Sequence, residues 1–240
     1  MSVKLKVRGK SGIRILEAGY GENLLELLQK NGYSLGAYCG GNGRCAKCRV
    51  KINGEEKLAC KSVVEKDIEI ELIDEVGHYE NKDDMSANIS LGDRNDFAAA
   101  LDIGTTTISL AVVNLSDMRI VSVKSCLNHQ RAFGADVISR IDAALSGKDK
   151  LLQNAVQKDI ITLLDRTFNE LGIPAEKLSK IVISANTVMM HLFMGWDTSG
   201  MAAAPFKVES KDYAEYDFRE IFGKVADYNP GLIILPALSA

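Results

Sequence analysis

The chain has 240 residues, of which 46% are hydrophobic and 25% charged, an ordinary composition for a globular protein of about two domains. A net charge of -3 argues against a nucleic-acid-binding surface, which is usually basic, so we expect no nucleic-acid partner. No apolar run reaches the roughly 18 residues of a membrane span, and the N-terminus lacks the apolar core of a signal peptide. We therefore expect a cytoplasmic protein with no membrane partner.

Residues 1–73 predict a small domain of strands and one helix. Alternating polar and apolar residues indicate a strand pair over 4–8 and 13–16. A leucine-rich helix follows and ends at Asn31-Gly32, because glycine favours the left-handed position after a helix. Beyond a glycine-rich loop, further strands are predicted over 49–52 and 68–72.

The glycine-rich loop carries the most specific motif of the chain. Four of the five cysteines lie in one short stretch with the spacing C-x5-C-x2-C-x11-C: Cys39, Cys45, Cys48 and Cys60. A reducing cytoplasm disfavours disulfides, so this cluster indicates a metal site. A [2Fe-2S] cluster takes four thiolates, two per iron. The loop must wrap tightly around it, and glycines provide the required backbone freedom: Gly36, Gly40, Gly41 and Gly43.

Structural zinc is the alternative for this loop. Zinc sites usually combine two C-x-x-C pairs, or one such pair with two histidines. Here only Cys45 and Cys48 form such a pair, and none of the three histidines is nearby in the sequence, which favours iron and sulfur. The fifth cysteine, Cys126, alternates with apolar positions, and we expect a buried, inert thiol.

The stretch 1–73 resembles the ferredoxin family, and the extra residue in its first cysteine gap is similar to the adrenodoxin and bacterial redox-ferredoxin branch. The resemblance implies a β-grasp fold, transfer of single electrons, and the four ligands Cys39, Cys45, Cys48 and Cys60. The fourth cysteine comes earlier than in typical ferredoxins, which shortens the last part of the fold.

Residues 74–97 contain few apolar residues and no periodic pattern, and we interpret them as a linker between two domains or a short docking segment. Such a linker would let the ferredoxin domain swing. Residues 98–240 then predict an α/β domain. Its strands are expected over 97–103, 108–115 and 181–184. Its helices are expected over 136–145 and 149–171, the first with an apolar face made of Val137, Ile138, Ile141 and Leu145.

A second motif, Asp-Ile-Gly-Thr-Thr-Thr over 102–107, lies between the first two strands of this α/β domain. Backbone N–H groups and hydroxyls at such a corner can bind phosphate, and Asp102 can hold Mg²⁺. A plain hairpin turn is the alternative. The motif resembles the first phosphate loop of the actin, sugar-kinase and heat-shock-chaperone superfamily. That resemblance implies a ribonuclease-H-like fold and binding of ATP by Asp102, Gly104, Thr105 and Thr106.

The two motifs together resemble the reductive activators of corrinoid-dependent proteins, and stretches around 128–141 and 186–195 are also similar to that family. The resemblance implies a [2Fe-2S] cluster that passes an electron from a donor protein to the Co(II) corrinoid of a partner corrinoid protein or methyltransferase, linked to ATP and Mg²⁺. The expected fold is α+β, with a β-grasp ferredoxin-like domain followed by a partial ribonuclease-H-like domain.

Two further functions stay open at this point. One is a zinc-stabilised binding module fused to a sugar-kinase-like phosphotransferase, and the other is a docking fragment without ATPase activity. Family members are longer and carry a large C-terminal domain that completes the ATP site. We therefore expect weak or no ATPase activity from these 240 residues alone. His191 is a candidate cobalt ligand, but a packed histidine in a helix is the favoured interpretation.

Overall fold

The computed structural model describes residues 2–9, 12–33, 35–37, 39, 41–73, 85–86, 96–208 and 212–236. They belong to two compact units, each with its own sheet. The first unit comprises Met1–Gly77 and His129–Leu151, and the second comprises His78–Asn128 and Leu152–Ala240. We call His129–Leu151 the middle-region segment. The predicted domain limits at 73 and 98 stay a prediction, because the compact units follow a different division of the chain.

The first unit contains a five-stranded sheet in the order β2-β1-β5-β3-β4. Its strands are β1 (Ser2–Gly9), β2 (Gly12–Gly19), β3 (Arg49–Ile52), β4 (Glu55–Leu58) and β5 (Ile68–Leu72). Only β1 and β5 run parallel, and the other neighbours are antiparallel. Asn53 and Gly54 have φ of 50° and 88°, the values of the tight hairpin turn that the Asn-Gly pair favours.

Helix α1 (Leu24–Lys30) packs on this sheet. Asn23 caps it, accepting hydrogen bonds from the N–H groups of Leu25 and Glu26, and Gly32 follows with a φ of 83°. Four of its leucines are buried with the inward side chains of the strands: Leu24, Leu25, Leu27 and Leu28. The predicted strand pair, helix and turn are therefore present.

The middle-region segment completes the first unit. It begins with a 3₁₀ turn (His129–Ala132) and continues as α2 (Val137–Ala143), whose cap is Asp136. The predicted apolar face of this helix is wrong, because Ile138 is 70% and Leu145 50% exposed, whereas Arg140 is fully buried. The cause is a local one, since the Arg140 side chain satisfies backbone and amide oxygens of the preceding turn.

The second unit contains a seven-stranded sheet in the order β11-β12-β10-β7-β8-β9-β6. Three strands form an antiparallel meander: β7 (Phe97–Ile103), β8 (Thr107–Asn114) and β9 (Arg119–Leu127). Two more extend it in parallel to β7, namely β10 (Leu178–Ala185) and β12 (Gly231–Ile234). The short strands β6 (Met85–Ser86) and β11 (Ala214–Asp217) pair antiparallel at the two edges. Mixed sheets with helices confirm the predicted α+β class.

The helices of the second unit are α3 (Asp149–Leu171), which starts in the middle-region segment, α4 (Thr187–Met194) and α5 (Phe218–Phe222). The predicted bounds of α3 are confirmed, and apolar residues along one face of it are buried: Leu152, Val156, Ile160, Leu164 and Phe168. Of the predicted linker, 74–84 and 87–95 lie outside the described residues. Among the helices that the structure describes, none is long and apolar enough to cross a membrane.

Candidate metal centre and phosphate turn

The four clustered cysteines come from two places in the first unit. Cys39 and Cys45 lie in the loop after α1, and Cys48 directly precedes β3. Cys60 lies in the 3₁₀ turn Ala59–Lys61 after β4. The N–H of Ala59 donates to the carbonyl of Cys48 at 2.9 Å, so the hairpin of β3 and β4 brings Cys60 back to the loop.

The thiols of Cys39 and Cys45 form one pair. Burial by itself raises the pKa of Cys39, but hydrogen bonds to its sulfur outweigh that effect and lower the pKa to about 6. The donors are the backbone N–H and the thiol of Cys45 and the backbone N–H groups of Arg44 and Gly41. The Cys39 sulfur therefore sits in a nest of N–H groups that favours a thiolate.

The thiols of Cys48 and Cys60 form the other pair. Burial, the hydrogen bond to the Cys48 thiol and the charges of Cys48 and Cys39 raise the pKa of Cys60 to about 11. The N–H of Gly43 donates to the Cys60 sulfur and offsets part of this rise. Because Cys39 acts on Cys60 electrostatically, the two pairs belong to one site.

Two glycines give the loop the backbone shape that was predicted for it. Gly41 and Gly43 have φ of 90° and 77°, which side-chain-bearing residues adopt only with strain. A Cβ on Gly43 would also lie 2.5 Å from Cε of Lys61. Of the other two predicted loop glycines, Gly36 is among the described residues and Gly40 lies outside them.

The donor set fits a two-iron cluster. All four donors are cysteine sulfurs, and they lie in two pairs, which matches a cluster that takes two thiolates per iron. The N–H groups directed at the sulfurs are the kind of contact that sets a cluster's reduction potential.

The second predicted site is the turn between β7 and β8. The N–H of Gly104 donates to the carbonyl of Thr107 at 3.0 Å, which closes the turn over Thr105 and Thr106. A Cβ on Gly104 would lie 2.7 Å from that carbonyl oxygen, so only glycine fits there. Asp102 is exposed at the end of β7, on the same edge of the sheet as the turn. The four predicted residues thus lie together.

Two residues that the sequence interpretation did not assign also hold this turn. The Ser184 hydroxyl donates to Oδ1 of Asp102 at 2.8 Å, from the neighbouring parallel strand β10. Asn128, fully buried after β9, donates from Nδ2 to the carbonyl of Gly104 at 2.9 Å and from its backbone N–H to that of Thr106 at 2.8 Å. Two sequence signals pointed to them: both lie near the ends of strands, and Asn128 opens the stretch 128–141 that is similar to the reductive activators.

The remaining candidates have structural roles. His191 is fully buried in α4, with Nδ1 2.9 Å from the carbonyl oxygen of Thr187 and its ring edge-on to Trp196. This confirms the interpretation as a packed histidine. Cys126 is buried in β9, as expected for an inert thiol.

A β-grasp sheet with a four-cysteine loop defines the class of [2Fe-2S] proteins, and comparison with known families agrees. Residues 8–71 match the model of the 2Fe-2S iron-sulfur cluster binding domain. Residues 97–240, more than half of the chain, match the model of the RACo middle region. The chain therefore belongs to the family with a RACo middle region, and its predicted relation to reductive activators is confirmed.

Individual relatives are longer than this chain. It is 30% identical over 118 residues to the "Corrinoid activation enzyme RamQ" of Eubacterium limosum, an alignment that covers 48% of this chain and 20% of the relative. A solved structure, "Reductive activator for corrinoid,iron-sulfur protein", superposes on 98% of this chain with a TM-score of 0.53 and 20% identity. The superposition covers 55% of that structure, so the chain spans about half its length, and the likeness establishes the fold.

Proposed function

We propose that this chain transfers single electrons through a [2Fe-2S] cluster bound by Cys39, Cys45, Cys48 and Cys60. The observation that carries the proposal is the arrangement of these thiols in two pairs, with backbone N–H groups directed at two of the sulfurs. The match of residues 8–71 to the 2Fe-2S cluster binding domain supports it. When bound, such a cluster accepts and releases one electron at a time.

The residues of the cysteine loop would bind the cluster and adjust its reduction potential. The four thiols lose their protons to become ligands, and the low pKa of Cys39 favours that loss at neutral pH. The N–H groups of Gly41, Arg44 and Cys45 stabilise negative charge on the Cys39 sulfur. Since a reduced site carries one more negative charge, these contacts favour its reduction.

The proposed electron acceptor is a corrinoid protein or a corrinoid-dependent methyltransferase, in which Co(II) plus one electron gives Co(I). An electron donor must supply that electron. The names of the corrinoid activation enzyme and of the reductive activator support this assignment. The location that we propose is the cytoplasm, where reduced thiols persist, and the five cysteines, all within the described residues, form no disulfide.

We also propose that the turn between β7 and β8 contributes to a site for ATP and Mg²⁺. Gly104, Thr105 and Thr106 would face the phosphates with backbone N–H groups and hydroxyls. Asp102 would hold the cation, and its carboxylate is exposed and fixed by Ser184. The domain limits that go with this assignment are 1–73 for the ferredoxin domain, 74–97 for the linker and 98–240 for the nucleotide-binding part.

The electron-transfer proposal is tested by an anaerobic visible spectrum before and after reduction with dithionite, together with iron and sulfide analysis. We expect broad visible bands that bleach on reduction, and two irons and two sulfides per chain. A colourless protein with one zinc would overturn it. The partner is tested next by following Co(II) reduction on a purified corrinoid protein, with a low-potential reductant and catalytic amounts of this chain.

The nucleotide proposal is tested separately by calorimetric titration with Mg²⁺ and ATP. We expect Asp102→Asn to weaken binding and to leave the iron content unchanged, because the carboxylate and the cysteines lie in different compact units. If the parent chain binds no nucleotide, the phosphate assignment is wrong, while the electron-transfer proposal stands on its own measurement.

A further inference from the structure

The middle-region segment contacts the ferredoxin fold through the backbone carbonyl of Ala132 within the first unit. The carbonyl oxygen of Ala132 accepts a hydrogen bond from the N–H of Ala37 at 3.2 Å and another from Nε2 of Gln29 at 3.1 Å. All three residues are buried. At the edge of this contact, Nζ of Lys148 lies 3.5 Å from a carboxylate oxygen of Glu26.

Gln29 is an unusual residue for its position. It shares the buried face of α1 with leucines, and its exposed fraction is only 7%. Its Nε2 donates a hydrogen bond to the Ala132 carbonyl, but its Oε1 has no hydrogen-bond partner among the described residues. A buried amide oxygen without a partner is destabilising, and leucine would avoid that penalty. Gln29 therefore serves the contact to Ala132 rather than the stability of the helix.

The segment holds Ala132 rigidly from its other side. Arg140, which is fully buried, donates from Nε to the carbonyl of Gly134 at 3.0 Å and from Nη1 to Oε1 of Gln130 at 3.4 Å. These two partners lie two residues after and two residues before Ala132. The N–H of Phe133 also donates to the carbonyl of Gln130 at 2.9 Å, which closes the turn. The acceptor is thus held by hydrogen bonds within the segment itself.

The residue at the other end of the contact, Ala37, lies close in sequence to the cysteines. Ala37 is two residues before Cys39, whose sulfur receives the N–H groups of Gly41, Arg44 and Cys45. Anchoring the N–H of Ala37 fixes the point at which the loop starts, and so limits how far these donors can move from the sulfur. Hydrogen bonds to the sulfurs and solvent exposure are what the protein uses to adjust a cluster's potential.

We propose that the middle-region segment is a positioning element for the cysteine loop, with the Ala132 carbonyl as its point of contact and Gln29 and Arg140 as positioning residues. Electron transfer at the cysteine loop then depends on residues that match the family model of the middle region, outside the ferredoxin match at 8–71. The redox part of this inference depends on the proposed function, because it requires a cluster in the loop.

The test is Gln29→Leu, with Gln157→Leu as the matched control. Gln157 also donates its amide to a backbone carbonyl, that of Ile221 at 3.1 Å in a part-buried hydrogen bond, but it lies in the second unit. Both variants are loaded anaerobically, and iron and sulfide are counted. The reduction potential is then measured by titration monitored by electron paramagnetic resonance, and amide hydrogen exchange is measured in the peptide that contains Ala37.

In Gln29→Leu we expect stability at least equal to the parent, exchange at Ala37 faster by about tenfold, and a more negative reduction potential with a broadened resonance signal. Gln157→Leu should match the parent in exchange at Ala37 and in potential. A purely structural role for Gln29 would leave the exchange rate at Ala37 and the reduction potential unchanged. An unchanged value of either in cluster-loaded Gln29→Leu would overturn the proposal.

Exchange in the unmodified protein keeps the proposal testable if Gln29→Leu does not fold. The Ala37 amide should exchange slowly both with and without iron, because its acceptor belongs to the polypeptide. Exchange as fast as in an unprotected loop would overturn the positioning role. Failure of the electron-transfer proposal would appear separately, as the absence of iron and sulfide in a protein that still protects Ala37.

Discussion

The cysteine loop and the turn between β7 and β8 differ in where their functional atoms come from. The four thiols of the cysteine site all lie within residues 39–60, and thiolates have few roles other than metal binding and redox chemistry. The turn uses hydroxyls, a carboxylate and backbone groups, which occur everywhere in proteins. Its partners Asn128 and Ser184 come from 24 and 82 residues away. A site of rare atoms close in sequence is therefore easier to recognise than one of common atoms assembled by the sheet.

The largest effect is expected for loss of a proposed ligand. Cys48→Ser should abolish the visible bands and leave less than two irons per chain, because a hydroxyl is a poor replacement for a thiolate on iron. Iron and sulfide analysis with the visible spectrum measures this. The matched control is Cys126→Ser, a change at a buried cysteine of the second unit, which should keep the full cluster. Loss of the cluster in both variants would mean that the effect of Cys48→Ser does not identify Cys48 as a ligand.

The next effect is a difference in reactivity within the loop. In metal-free protein at pH 7.5, Cys39 should be alkylated by iodoacetamide faster than Cys60, by about ten- to thirtyfold, because its larger thiolate fraction outweighs the lower nucleophilicity of a thiolate of low pKa. The low pKa of Cys39, about 6, makes it largely thiolate, whereas the pKa of Cys60 is about 11. The rate at Cys39 should fall as the pH decreases through about 6. Peptide mass spectrometry resolves the two sites, and equal rates would contradict the distinct surroundings of the two sulfurs.

Much of the fold could be predicted from local pattern. The strand periods, the Asn-Gly turn and the helix over Asp149–Leu171 follow from side-chain repeats and from backbone preferences of single residues. The burial of Arg140 and the exposure of Ile138 could not be predicted, because they depend on oxygens of the turn before α2. The contact of Ala132 with Ala37 was equally hidden, since it joins two backbone groups and involves no recognisable side chain.

A smaller effect is expected where the turn depends on a distant partner. Asn128→Ala should destabilise the fold by about 2 kcal/mol, because the part-buried carbonyl of Gly104 loses its donor. Urea denaturation measures this, and the same variant should bind Mg²⁺ and ATP more weakly. Asn114→Ala is the control at the opposite end of β8, where Oδ1 accepts the N–H of Ser116. It should reduce stability without changing nucleotide affinity, and a loss of affinity in the control would show a general effect of destabilisation.

The smallest expected effect tests whether the hydrogen bond from Ser184 holds the exposed Asp102 carboxylate in place for binding. Ser184→Ala removes the hydroxyl that donates to Oδ1 of Asp102, and the affinity for Mg²⁺ with ATP should fall by about three- to fivefold. Ser184→Thr keeps the hydroxyl and should restore most of the affinity, because a β-branched residue is well suited to a strand. Stability should change little in either variant, since this bond is exposed to solvent. Equal calorimetric affinities for the parent and Ser184→Ala would mean that Asp102 needs no positioning, and the turn would then act through its backbone, as a plain hairpin of the right shape.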